Sequence, residues 1–181
     1  MAVVYNTEID QGADWYINFI YTQPATITNI VGNGTTVAFT ATNGFTAGQK
    51  VSINGVLPSQ YNFQDVTIAS ASASNFTVTN SATGTYISGG LATSPANLTG
   101  YTAALQVRSL PSSPTTVLDL TTQNGGITIT ALEGKVAVHA TAVQTGAIDD
   151  GVYVYDCEIT GGGVTTRLVQ GQVVVSPEVT R

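Results

Sequence analysis

The residues able to do chemistry are few. His139 is the sole histidine and Cys157 the sole cysteine. A Cys–His nucleophilic pair needs hydrogen-bond reach. In "KVAVHATAV" the alternation sets His139 opposite Val136 and Val138, on a solvated face; in "GVYVYDCEI" it sets Cys157 with Tyr153 and Tyr155, on a buried face. The two side chains point apart, and the reading is a packed cysteine and an exposed histidine. The densest carboxylates are Asp149, Asp150, Asp156 and Glu158. A calcium loop needs several converging oxygens in an Asp-x-Asp-x-Asp-Gly pattern, which is absent; "DDG" reads as a turn. Paired-carboxylate glycosidic chemistry needs an acid and a base flanking a cleft, and these carboxylates fall on strand or turn positions. The glycine-rich "VGNGTT" and "TGGGVTT" lie between strands, whereas a phosphate loop needs a helix N-terminus behind it. No catalytic residue, metal or cofactor is expected.

Two further groups bear on recognition. Tyr61, Asn62, Phe63 and Gln64, in "PSQYNFQD", are candidate surface contacts, because exposed aromatics beside amides are how sugar-binding surfaces stack on rings. Arg167 alternates with Val169 and lies across a Gly-rich turn from Glu158. A turn centred near Gly161–Gly163 would make them a cross-strand pair, which sets register more than stability.

The elements that position these residues are strands. Period-two alternation dominates. It sets Trp15, Ile17, Phe19 and Tyr21 on one face, and Tyr101, Ala103, Leu105 and Val107 on another. No segment carries a sustained helical stripe, so the class is all-β. Hydrophobic residues make up 43% of the 181 residues and charged residues 9%, against about 25% charged in an ordinary domain. Net charge is −6, and Lys50, Arg108, Lys135, Arg167 and Arg181 do not cluster. Nucleic-acid binding needs several basic groups on one surface, so that partner is excluded. One cysteine allows no intramolecular disulfide. No apolar run approaches the ~20 residues that cross a bilayer, so no membrane partner is expected. "MAVVYNTEID" lacks the basic flank and apolar core of a signal peptide, so the expectation is a soluble chain made in a cytoplasm. The Asn-x-Thr triplets at Asn33, Asn75 and Asn97 read as chance in a Thr-rich sequence.

Composition shifts near Thr26 and Pro95, and between them the only charges are Lys50 and Asp65. The expected organisation is an outer Ig-like antiparallel β-sandwich from residues 1–25 and 96–181, with a small β-barrel or sandwich, residues 26–95, inserted in it. The alternative is two domains in tandem. Outer strands are expected at Trp15–Thr22, Tyr101–Ser109, Val117–Leu120 with Ile127–Thr130, Lys135–Thr141, Gly151–Ile159 and Thr165–Val175. Pro177 cannot donate to a ladder, so pairing should fade near Ser176, leaving Glu178 and Arg181 as candidate contacts with a neighbouring subunit.

"QGADWYINFIY" (Gln11–Tyr21), "NLTGYTAALQVR" (Asn97–Arg108), "GVYVYDCEI" (Gly151–Ile159) and "TTRLVQGQVVVSPEVTR" (Thr165–Arg181) occur in that order. Together they resemble a small domain of tailed bacteriophages, the N-terminal domain of baseplate upper proteins. The middle stretch resembles small β modules of phage structural proteins. The resemblance implies a non-enzymatic virion component. It would dock by its β-sandwich on phage capsid or tail proteins and assemble with copies of itself into a trimer or higher oligomer. Placement divides between capsid decoration or cement and attachment at tail, baseplate or fibre. The alternative role, which Tyr61, Asn62, Phe63 and Gln64 would carry, is a carbohydrate-binding adhesion module for a host surface glycan.

Overall fold

The computed structural model describes residues 2–179. They are nearly all strand, as the alternation requires, and divide into two compact units. The first unit takes the residues up to Phe19, Gly100–Thr130, and those from Val136 onward.

Two sheets build the first unit. The larger contains β1 (Val3–Val4), β2 (Thr7–Asp10), β11 (Thr102–Arg108), β12 (Leu118–Thr121), β15 (Gly151–Gly161) and β16 (Val164–Ser176), with order β1-β16-β15-β11-β12 and β2 also paired to β16. The smaller is β13 (Ile127–Thr130), β14 (Lys135–Ala140) and β3 (Trp15–Ile20), in the order β13-β14-β3. One face of each sheet is buried. Leu105, Val107, Leu120, Cys157, Ile159 and Val173 are inaccessible on the larger sheet, as are Val136 and Ala140 on the smaller. Burying one face of each sheet is the sandwich solution.

Three features depart from expectation. β16 is an interior strand: β15 pairs with it antiparallel on one side, and β1 and β2 pair parallel on the other. The N-terminal strands carry no local signal, because parallel partners share no tight turn and both residues of β1 are exposed. Second, "TAVQTG" forms a one-turn helix, α1 (Ala142–Gly146), closed by a capping box in which the Thr141 hydroxyl accepts from the Gln144 N–H while Gln144 accepts from the Thr141 N–H. Third, pairing ends at Ser176 before Pro177 as expected, yet the backbone of Glu178 is tied to its own chain: its N–H donates to Gln11 Oε1 at 3.1 Å.

The second unit comprises Ile20–Thr99 and Ala131–Lys135. Its boundaries lie outside the expected 26–95. The reason is β4 (Thr22–Thr26), which pairs antiparallel with β10 (Ser88–Pro95) from Pro95↔Thr22 to Leu91↔Thr26. The segments expected to leave and re-enter the outer domain are thus partners within this unit, and Ala25 belongs to its core. The remaining strands are β5 (Asn29–Gly32), β6 (Thr36–Thr40), β7 (Lys50–Leu57), β8 (Phe63–Ser72) and β9 (Asn75–Thr79), giving the path β4-β10-β7-β8-β9-β6-β5. β8 pairs with β7 at its start and β9 at its end, with register shifts in both ladders. Such shifts bend a strand and let one path fold around one core. There Phe76 stacks on Phe39 at 4.8 Å and meets Phe45 edge-on at 5.3 Å.

Candidate functional site

The outer face of the larger sheet in the first unit carries a groove of about 560 Å³. Register builds its floor. Val4 lies beside Gln170, Gln170 beside Asp156, and Asp156 beside Gln106; Asp119, next to Gln106, continues the row outside the groove lining. One row of side chains thus crosses five strands. Arg108 and Glu158 flank it on neighbouring outward positions, and Pro111 closes one side.

Arg167 reaches this face through an irregularity. Cys157 pairs with Val169, but Glu158 pairs with Arg167, so Leu168 is an extra residue on β16. Strict alternation would put Arg167 on the face of Val169, which is buried. The bulge inverts the alternation and turns Arg167 outward, on the same side as Gln170. This corrects the expected Arg167–Val169 alternation, although the Glu158–Arg167 pair itself is present. The guanidinium meets Asp156 Oδ2 at 3.0 Å and Glu158 Oε1 at 3.2 Å, and donates to Gln170 Oε1 at 3.2 Å. Arg108 donates to Gln106 Oε1 at 2.7 Å and to the Ser113 carbonyl; Gln106 Nε2 in turn donates to Asp119 Oδ1 at 3.0 Å.

Opposed effects act on Asp156. Burial, the largest, raises its carboxyl above the usual value and Glu158 adds to this; Arg167 and Arg108 pull it down. Burial prevails, so the ion pair with Arg167 does not fully offset lost hydration. Beneath the groove, Tyr155 donates its hydroxyl to the Tyr5 carbonyl at 2.7 Å, and its phenol is raised, mainly by burial. The carboxylates of the groove are engaged by a guanidinium rather than poised around a cleft.

The other candidate residues disperse. Cys157 is fully buried on β15. His139, on the smaller sheet, stacks on Tyr16 at 4.3 Å with rings nearly parallel; its Nε2 lies 3.6 Å from Asp14 Oδ1, beyond hydrogen-bond distance. Asp149 and Asp150 sit in the turn before β15, where the Asp149 carbonyl accepts from the Tyr153 hydroxyl. Among the described residues no three His, Cys, Asp or Glu converge as metal ligands.

The expected sugar platform is corrected by burial. Tyr61 is 0% exposed and donates its hydroxyl to the Gly84 carbonyl at 2.7 Å. Asn62 is spent on the backbone of Val56, accepting from its N–H and donating to its carbonyl. Phe63 is half-buried, edge-on to Phe39. Gln64 is exposed and donates to Asn54 Oδ1. Tyr61 belongs to the core cluster of the second unit, and Phe63 packs partly buried against it. Glu178 is exposed, and Arg181 lies outside the described residues.

No family model matches the chain, and no curated protein matches it. Among solved structures, tandem Ig repeats of Dlar align over 86% of this chain and 98% of that chain, at 9% identity and a TM-score of 0.21. A likeness that small carries no argument about fold or function.

Proposed function

We propose that this chain is a non-enzymatic structural component of a bacteriophage virion, docking through its β-sandwich and assembling with other copies as a symmetric oligomer. One observation carries the reading. The four segments that resemble the phage domain contribute β3, β11, β15 and β16, and the last three are hydrogen-bonded neighbours. Three of the four segments, scattered over the sequence, thus meet on one sheet, and their outward side chains line the groove. A docking role also suits a low-charge surface, which costs less to desolvate than a charged one. The adhesion alternative loses its carrier with the burial of Tyr61.

Cryo-EM of purified particles tests the reading. Density fitting the sandwich at a repeated position on shell or tail is the expected result, and its location separates decoration from tail attachment. A particle fully accounted for without this chain would overturn it. Sedimentation of the isolated protein should give a trimer or larger species.

A further inference from the structure

A sheet edge offers unpaired N–H and C=O groups to any extended chain, and folded proteins blunt it with shortness, charge, proline or a cover. The other edges of this protein are blunted so. β12 is four residues long and carries Asp119; β1 has two residues, and β2 has four, with Glu8 and Asp10 among them. β13 has four residues. In the second unit β4 holds Pro24 at its centre, and β5, four residues long, is bridged to Thr85 through Val31. β3 differs. It is six residues long, "WYINFI", with no charge, proline or glycine. It pairs with β14 on one side, and among the described residues no strand pairs with the other.

The strand is also apolar where it meets solvent. Trp15 and Ile17 are buried, whereas Tyr16 and Ile20 are 62% and 65% exposed, with Asn18 exposed between them. Aromatic and β-branched residues favour a paired strand. About Asn18 the pattern reads alike in both directions. Ile17 and Phe19 lie one step away at inward positions, and Tyr16 and Ile20 two steps away at outward ones. That symmetry selects the occupant. A twofold contact is self-complementary, so that if one residue meets a second, the second meets the first in return. Antiparallel pairing centred on Asn18 sets Tyr16 opposite Ile20, Ile17 opposite Phe19, and the two Asn18 amides opposite each other, always with matching faces. The strand brings no charge to the contact, which matters between copies that each carry a net charge of −6.

We propose that β3 is a contact between two copies of this chain, joined edge to edge so that two three-stranded sheets become one of six strands. Main-chain hydrogen bonds of the new ladder hold it, and the Tyr16–Ile20 pairs cover its outward face. The inference goes beyond the virion reading. It rests on the strand alone, and a particle map lacking this chain would leave it standing. By itself the contact makes a dimer; joined to a threefold contact it makes a hexamer.

Sedimentation of the full chain tests it. The species should hold an even number of copies, and Asn18→Lys, which sets two like charges opposite each other at the axis, should halve its mass. Asn18 is exposed, and circular dichroism checks that the variant is folded. Asn18→Cys should also give a disulfide-linked dimer on mild oxidation. Opposed residues of an antiparallel pair have Cα atoms about 4.5–5.5 Å apart, within the range a disulfide closes. Thr128→Cys, exposed at the opposite edge of the same sheet, should not link, and the buried Cys157 should stay free. An odd number of copies, a mass unchanged by Asn18→Lys, no linking of Asn18→Cys, or equal linking of both cysteine variants would each overturn the proposal. A chain monomeric at millimolar concentration, whose Asn18→Lys variant fails to join the particle, would overturn it in favour of a strand from another virion protein. A dimer that Asn18→Lys dissociates would support it and count against the trimer expected above.

Discussion

Arg167 stands directly opposite Glu158 across the hairpin of β15 and β16, with its guanidinium 3.2 Å from that carboxylate. The bulge at Leu168 lets the same guanidinium also serve Asp156. Both partners of the Glu158 pair remain partly exposed, so the pair should be weak. A double-mutant cycle with Glu158→Ala and Arg167→Ala should give a coupling of about 0.3–1 kcal/mol by urea unfolding. A coupling above about 2 kcal/mol would mean that the pair is far more buried than this geometry allows.

Asp156 should make the protein more stable in mild acid than its ion pair suggests. Burial raises its carboxyl above the unfolded value, so the native state holds the proton more tightly than the unfolded chain does. That contribution is present at low pH and is lost as pH rises through the interval between the ordinary and the raised value. Asp156→Asn removes the dependence. The melting temperature of the variant, relative to the parent, should be higher at pH 7 than at pH 3 by about 1–3 °C. Calorimetry showing the reverse order would mean that Arg167 prevails over burial.

Cys157 should be inert while the protein is folded. Its thiol is fully buried and pushed up to about 12, first by burial and then by Asp156 and Glu158. A thiol reagent at pH 8 should label it only on unfolding, since the thiolate is the reacting species. Cys157→Ser should cost about 1–3 kcal/mol, because a hydroxyl would replace the thiol in an apolar core. Prompt stoichiometric labelling of the native protein would contradict this burial.

Tyr61 should matter for stability. Tyr61→Ala empties a site in the core of the second unit and should cost about 3–5 kcal/mol. Tyr61→Phe removes only the bond to the Gly84 carbonyl and should cost about 1 kcal/mol. Near-neutral stability of Tyr61→Ala in denaturant unfolding would return this ring to the surface.

Gln49 should behave as a core residue despite being polar. It is 1% exposed; its Oε1 accepts from the Thr46 N–H at 2.7 Å, and its Nε2 donates to the carbonyls of Pro95 and Leu132 at 2.8 and 3.2 Å. Gln49→Leu strands three backbone groups and should cost about 2–4 kcal/mol. Gln49→Glu should also destabilise, since a carboxylate cannot donate to those carbonyls. Unchanged unfolding midpoints in both variants would show that water reaches this site.

β11, β14 and β15 were legible because each buries one face. Ala103, Leu105 and Val107, then Val136 and Val138, then Tyr155, Cys157 and Ile159 alternate in the sequence and lie inward in the structure. The Glu158–Arg167 pair was legible too, because "TGGGV" announces a hairpin tip and the count across it is short. α1 had a readable signal in Thr141 and Gln144, the capping-box spacing, but its helix is too short to show a stripe. Gln49 had none: "GQKV" reads as turn and strand, and nothing local says that a glutamine there will meet two distant carbonyls.

Alternation, turn residues and charge are properties of a few neighbouring residues, and they carried the all-β class, the inward faces and the closing hairpin. Three things depended on the folded chain. The parallel addition of β1 and β2 to β16 joins residues more than 160 positions apart. The Leu168 bulge is defined only by the partner strand it fails to match. The groove exists because Val4, Gln170, Asp156 and Gln106 share one row across four strands. A strand's own period says which face a side chain takes; which side chain lies beside it depends on register with distant strands, and that is set when their buried faces pack together.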